Sequence, residues 1–203
     1  MAIKTANNQS MTAITALPSG VSAKSMILLA TETASSSATI SFTSNIDDTY
    51  SEYIFKFYDI HPATDNVNFT VNFRDGGSSY DATKTTTSLE CYHSEDGSGS
   101  GLAYIDRDLA NGTGVQQLNT ANGIGNDNDQ SLSGYLHLFN PSSTTFVKHF
   151  MAEVQFTQYA EATANDRVAG YCNVTAAIDG VQFTFESGNI DAGTFKLYGI
   201  KDS

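Results

Sequence analysis

The sequence has no tryptophan, three prolines, two cysteines, and ten lysines and arginines against 22 aspartates and glutamates. Each scarcity excludes something. Two cysteines, Cys91 and Cys172, cannot build the disulfide framework of a small secreted domain. Each lies in a strand-like run at an inward position, so buried free thiols are the expected state. A net charge of −12 repels phosphate backbones and argues against nucleic acid as a partner. No apolar run approaches the roughly 18 residues of a membrane-spanning helix, so no membrane insertion is expected. The stretch MAIKTANNQSMTAITALPSG lacks the apolar run of about 7 to 15 residues that a secretory leader needs, and a cytosolically made product is the expectation. No window of about twelve residues carries a convincing 3.6-residue period, so helix should be minor.

What is present is aromatic and alternating. The 203 residues include 12 Phe and 10 Tyr, and 40% are hydrophobic, enough to bury a core without staples. Only 16% are charged, which leaves Ser, Thr, Asn and Gly to make up the turns and outer strand faces. Asn66–Arg74 sets Val67, Phe69, Val71 and Phe73 against Asn68, Thr70, Asn72 and Arg74, the period of a half-buried strand. It follows Tyr53–Ile60, apolar on both faces, across the His61-Pro62 break, and the two are expected to form a hairpin. Val181–Phe185 and Phe195–Ile200, linked through Ser187-Gly188-Asn189-Ile190, read as a second hairpin or two neighbouring strands. Further runs occur at Met26–Thr31, Ile40–Phe42, Leu89–His93, Tyr135–Phe139, Phe146–Gln158 and Val168–Ala176. The spacing predicts an all-β, antiparallel two-sheet β-sandwich, jelly-roll-like, with the last strand beside an early one.

Two segments stand apart. Residues 1–25 are weakly patterned and read as an N-terminal arm ordered against a neighbour or the domain, or as a free tail. The single sandwich domain then covers 26–203 and carries a Gly/Asn-rich loop excursion over 94–133, with one or two short strands or a helical turn inside it.

No catalytic signature emerges. Asp106 with Asp108 and Glu153 with Glu161 are carboxylate pairs of the kind any acidic chain offers, without the context of a glycosidase. His61, His93, His137 and His149 have no zinc-binding spacing. Calcium is the one cation with ligands on offer: Asn126-Asp127-Asn128-Asp129 presents hard oxygens at Asp127 and Asp129, without the glycine and distal glutamate of an EF-hand. Otherwise no cofactor is expected. Tyr92, Tyr104 and Tyr135, in or beside the excursion, could stack on sugar rings and make a lectin-like site for a host-surface glycan.

The closing residues, FESGNIDAGTFKLYGI, resemble the terminal strands of β-sandwich virion structural proteins of tailed phages, particularly those of marine cyanobacteria. In these a Ser-Gly-Asn-Ile link precedes a Gly-Thr-x-x-Leu-Tyr-Gly-Ile strand, here Ser187–Ile190 and Gly193–Ile200. Ile46–Gly77 is similar to their first large hairpin. The resemblance implies a non-enzymatic virion protein, partnered by copies of itself and by other virion proteins, on the capsid surface or in a tail or fibre appendage. It carries no catalytic residue across.

Overall fold

The computed structural model describes residues 25–119 and 122–201. The arm expected at 1–25 lies outside the described residues except for Ser25. Twelve strands follow in order: β1 (Met26–Ser37), β2 (Ile40–Phe42), β3 (Glu52–Pro62), β4 (Phe69–Arg74), β5 (Lys84–Ser94), β6 (Ser100–Tyr104), β7 (Gln116–Gln117), β8 (Leu132–Phe139), β9 (Lys148–Gln158), β10 (Ala162–Cys172), β11 (Gly180–Phe185) and β12 (Ile190–Ile200). Among the described residues there is no helix.

The strands make two antiparallel sheets, β1-β12-β3-β8-β9-β10-β5-β6 and β2-β11-β4-β7. Eight of them pair in nested order. β1 pairs with β12, β2 with β11, β3 with β8 and β4 with β7. That nesting is the jelly roll, a long antiparallel ribbon wound so that successive strand pairs fall alternately in the larger and the smaller sheet. The remaining four, β9, β10, β5 and β6, continue the larger sheet beyond β8.

Phenylalanine fills the space between the sheets. The Phe183 ring on β11 lies 5.0 Å from that of Phe57, 5.6 Å from those of Phe55 and Phe195, and is stacked on Phe69 at 5.8 Å. Burying each such side chain stabilises by about 1.5–3 kcal/mol, and well-placed ring pairs add about 0.5–1.5.

The two expected hairpins are not hairpins. β3 and β4 lie in different sheets, as do β11 and β12; Phe57 meets Phe69 across the core at a ring separation of 5.3 Å. Alternation fixes which face of a strand is buried, and an apolar face can be buried equally by a strand in the opposite sheet. Gly188, at φ +75°, lets the β11–β12 link cross between sheets, and an added Cβ would lie 2.2 Å from Thr64 Oγ1. The last strand does lie beside early ones, between β1 and β3.

The 94–133 segment is pinned throughout its described length. After β6 it runs along the edge of β5, with Ile105, Leu109 and Gly112 bonded to the backbone of Ser88, Thr86 and Lys84. It then crosses to the smaller sheet, where β7 pairs with β4, and Ile124 bridges Val67 and Gln158 at the end of the sandwich. Two of its apolar residues act as anchors: Leu118 and Ile124 are fully buried.

The face of β5 is also opposite to expectation. Leu89, Cys91 and His93 point to solvent, while Lys84, Thr86, Ser88 and Glu90 are buried. The sandwich has a polar interior under its extension, made possible because those groups find partners: Thr86 Oγ1 donates to Gln116 Oε1 at 2.6 Å and Ser88 Oγ to the Ile105 carbonyl at 2.8 Å.

Candidate functional site

The outward face of the larger sheet gathers side chains from seven strands into aligned rungs. One rung reads, strand by strand, Lys196, Lys56, Tyr135, Glu153, Arg167, Leu89, Tyr104. The rung beside it reads Tyr198, Ile54, His137, Met151, Ala169, Thr87. In a chain of net charge −12, the first rung holds three cations and one anion.

Lys56 and Lys196 stand directly opposite each other, an arrangement that is unfavourable for like charges. The structure relieves it with aromatic rings set diagonally. Lys56 Nζ lies 5.8 Å from the Tyr198 ring centroid and Lys196 Nζ lies 5.3 Å from that of Tyr58, within the range of cation–π attraction. The two-fold look of this cluster is written in the sequence as a repeated motif, Phe55-Lys56-Phe57-Tyr58 and Phe195-Lys196-Leu197-Tyr198, folded antiparallel on itself. That repeat is the signal sequence reasoning missed.

Glu153 is the fixed anion of the rung. Its carboxylate accepts from Tyr135 Oη at 3.0 Å, Asn165 Nδ2 at 3.1 Å and Arg167 Nη2 at 3.3 Å. Partial burial pulls its pKa upward, but these hydrogen bonds and the Arg167 charge outweigh it and hold the carboxyl below the usual glutamate range. The same bond from Tyr135 to Glu153 raises the phenol above its ordinary value. On the neighbouring rungs His137 Nδ1 meets Glu52 Oε1 at 2.5 Å.

No protein-family model matches this chain, and no curated protein does. The surface therefore has to be read from its chemistry.

Between the charges the face is apolar and open. A trough of about 510 Å³ includes Phe139, His149, Met151 and Tyr171 in its lining, and a second of about 490 Å³ includes Cys91, Leu102, Gln155 and Asn165. Met151 is 55% exposed and Leu102 77%, values that mark a contact surface when they cluster.

The tyrosines singled out in the sequence divide between two faces. Tyr135 and Tyr104 share the outward rung, separated by β9, β10 and β5, or about 19 Å at 4.8 Å per strand. Tyr104 Oη donates to Asp108. Tyr92 faces inward and packs against the core, its ring 2.9 Å from where a Cβ on Gly101 would stand.

Asp127 and Asp129 are exposed, on a turn closed by the Gln130 amide donating to the Asp127 carbonyl at 2.9 Å. Among the described residues no group of three His, Cys, Asp or Glu gathers there or elsewhere. Nor do Glu153 and Glu161 converge. Glu161 lies in the β9–β10 turn, where it accepts from Gln130 Nε2 at 3.1 Å. Glu153 is five residues back from the end of β9, roughly 17 Å along the strand at 3.4 Å per residue, beyond the 5–10 Å that glycoside hydrolysis uses.

The cysteines are both free, Cys91 exposed and Cys172 buried. The outward position of Cys91 departs from expectation. On β10, Cys91 is opposite Asn165 and Cys172 is itself seven residues further along, so they are far apart as well as on opposite faces.

Proposed function

We propose that this chain is a non-enzymatic structural protein of a phage virion, assembling by symmetric subunit contacts on the capsid surface or in a tail or fibre appendage. The observation that supports the reading most is the outward face of the larger sheet. Acidic groups dominate the chain, yet this face offers Met151, Leu89, Leu102 and five tyrosines, Tyr58, Tyr104, Tyr135, Tyr171 and Tyr198, around a rung with a cationic excess. Aromatic residues, Met and Arg with few acids are what protein contact surfaces collect. A jelly roll provides rigid faces and edges, which are what assembly needs. The resemblance of Ser187–Ile200 and Ile46–Gly77 to phage virion proteins supplies the setting.

Light scattering on the purified chain across concentration tests the assembly, and labelling of the protein in intact particles tests its place. A monomer at every concentration that is also missing from particles would end the reading.

A second reading draws on Tyr135 and Tyr104 lying in one rung with Glu153 and Arg167 between them. That row has the make-up of a glycan platform, rings for sugar faces and fixed polar groups for hydroxyls. On this reading the chain is a receptor-binding, lectin-like module, and the sheet face takes the place of the 94–133 excursion as the site. Binding on a glycan array, lost in Tyr135→Ala and Tyr104→Ala, would establish it.

A further inference from the structure

Two sheets have four edges, and three of them are blunted in the way soluble proteins blunt exposed edges, by very short strands. The described edge strands β6, β2 and β7 have five, three and two residues. The fourth, β1, has twelve. It holds no lysine and no proline, and its only charge is Glu32. Of its twelve residues only Ala34 is buried, while Met26 is 37% and Leu28 51% exposed. One side pairs with β12 from Met26–Ile200 to Ser37–Ile190, with a register shift between Leu28 and Ala30 that sets Leu28 and Thr31, opposite Tyr198 and Lys196, on one face of the sheet. The serine-rich end is capped, Asn189 Nδ2 donating to the Ser36 carbonyl at 2.9 Å. Among the described residues Met26–Thr33 remains as a long edge, apolar over Met26–Ala30, with no strand on its outer side.

We infer that the β1 edge is the site of self-association, pairing antiparallel with β1 of a second copy about a two-fold axis. This deepens the assembly reading above and rests on it. An edge of backbone donors and acceptors is satisfied by another extended strand. On a second copy the described edge of matching length is β1 itself, and antiparallel pairing of identical strands is self-complementary and closes. A register centred between Leu29 and Ala30 sets Glu32 opposite Ile27 of the copy and keeps the two carboxylates about five residues, or roughly 17 Å, apart, so like charges do not face each other. The same register sets Leu28 opposite Thr31. The two larger sheets then run on as one.

The test compares the full chain with its Leu28→Lys/Thr31→Lys variant, which sets lysines of the two copies opposite each other on residues exposed in the monomer. Light scattering reads the mass, and amide hydrogen exchange reads Met26–Thr33. The expected result is an assembly whose mass halves in the variant, with exchange over Met26–Thr33 faster by on the order of tenfold or more, while thermal unfolding shows the variant still folded. An assembly unchanged in mass by the variant would overturn the β1 pairing and leave the assembly reading standing on another surface. A monomer with Met26–Thr33 unprotected would overturn both. A monomer with that stretch protected would mean that residues of its own chain, 1–24, cover the edge, and would also overturn the pairing.

Discussion

Lys84 Nζ on the larger sheet donates to Asn72 Oδ1 on the smaller one at 2.5 Å, and to the Ala82 carbonyl at 2.7 Å. The lysine is fully buried, and no carboxylate is among its hydrogen-bond partners. Burial pushes its pKa down from 10.5 to about 8, because an ammonium away from water is stabilised only by what it can reach.

A pH dependence follows from this site. Below about pH 8 the folded and unfolded chains both hold the Lys84 proton, and the folded chain carries the full desolvation penalty. Above it the folded chain sheds a proton that the unfolded chain keeps until 10.5, so stability rises with pH. Cys172, opposite Lys84 on β10, acts in the other direction. Burial pushes its thiol up from 9.0 to about 12, so above pH 9 the unfolded chain loses a proton that the folded chain keeps. The expected profile is a gain of about 1 kcal/mol from pH 8 to 9, or roughly 2–4 °C in Tm, then a plateau. Thermal unfolding followed by circular dichroism checks it. Lys84→Met should flatten the rise, and Cys172→Ala should extend it beyond pH 9.

The two thiols should differ sharply in reactivity. Cys91 is exposed on the outward face and Cys172 is buried with a raised pKa; the thiolate is the reactive form. Titration with a disulfide reagent at neutral pH should find one thiol in the native protein and two in denaturant. Two fast thiols in the native state would mean that the Lys84–Cys172–Lys148 rung is open.

Phenylalanines that look alike in the sequence should differ in cost. Phe183→Ala removes the ring that touches Phe42, Phe55, Phe57, Phe69 and Phe195 and should lose about 3–5 kcal/mol in urea unfolding. Phe146, 69% exposed before β9, should lose no more than about 0.5 on the same change.

Gly170 offers a backbone test. A Cβ there would lie 2.5 Å from the Thr85 carbonyl oxygen and 3.0 Å from Thr86 Cα, so β10 and β5 would have to part. Gly170→Ala should cost about 1–3 kcal/mol, and a neutral result would show that the polar interior is loosely packed.

The legible part of the fold was the part governed by period two. Phe69, Val71 and Phe73, or Phe150, Ala152, Val154 and Phe156, announced their buried face, and all of them are in the core. At β5 alternation sets Leu89, Cys91 and His93 against Glu90 and Tyr92 and suggests the first set as the inner one, whereas the structure turns it to solvent. There the choice lay with hydrogen-bond partners distant in sequence, such as Gln116 for Thr86, which alternation does not register. Of the site, Tyr104 and Tyr135 were named, but their shared rung depends on register across five strands.

By itself the sequence determined that the regular elements are strands and where many of the turns between them fall, because side-chain alternation and turn chemistry are local properties. Only the tertiary structure decided which strands share a sheet, which side of β5 is wet, that Lys56 faces Lys196, and that β1 is the long edge among the described strands. Those are outcomes of pairing between residues far apart in the chain, where several registers bury the same apolar faces and the closure of the whole sandwich selects one.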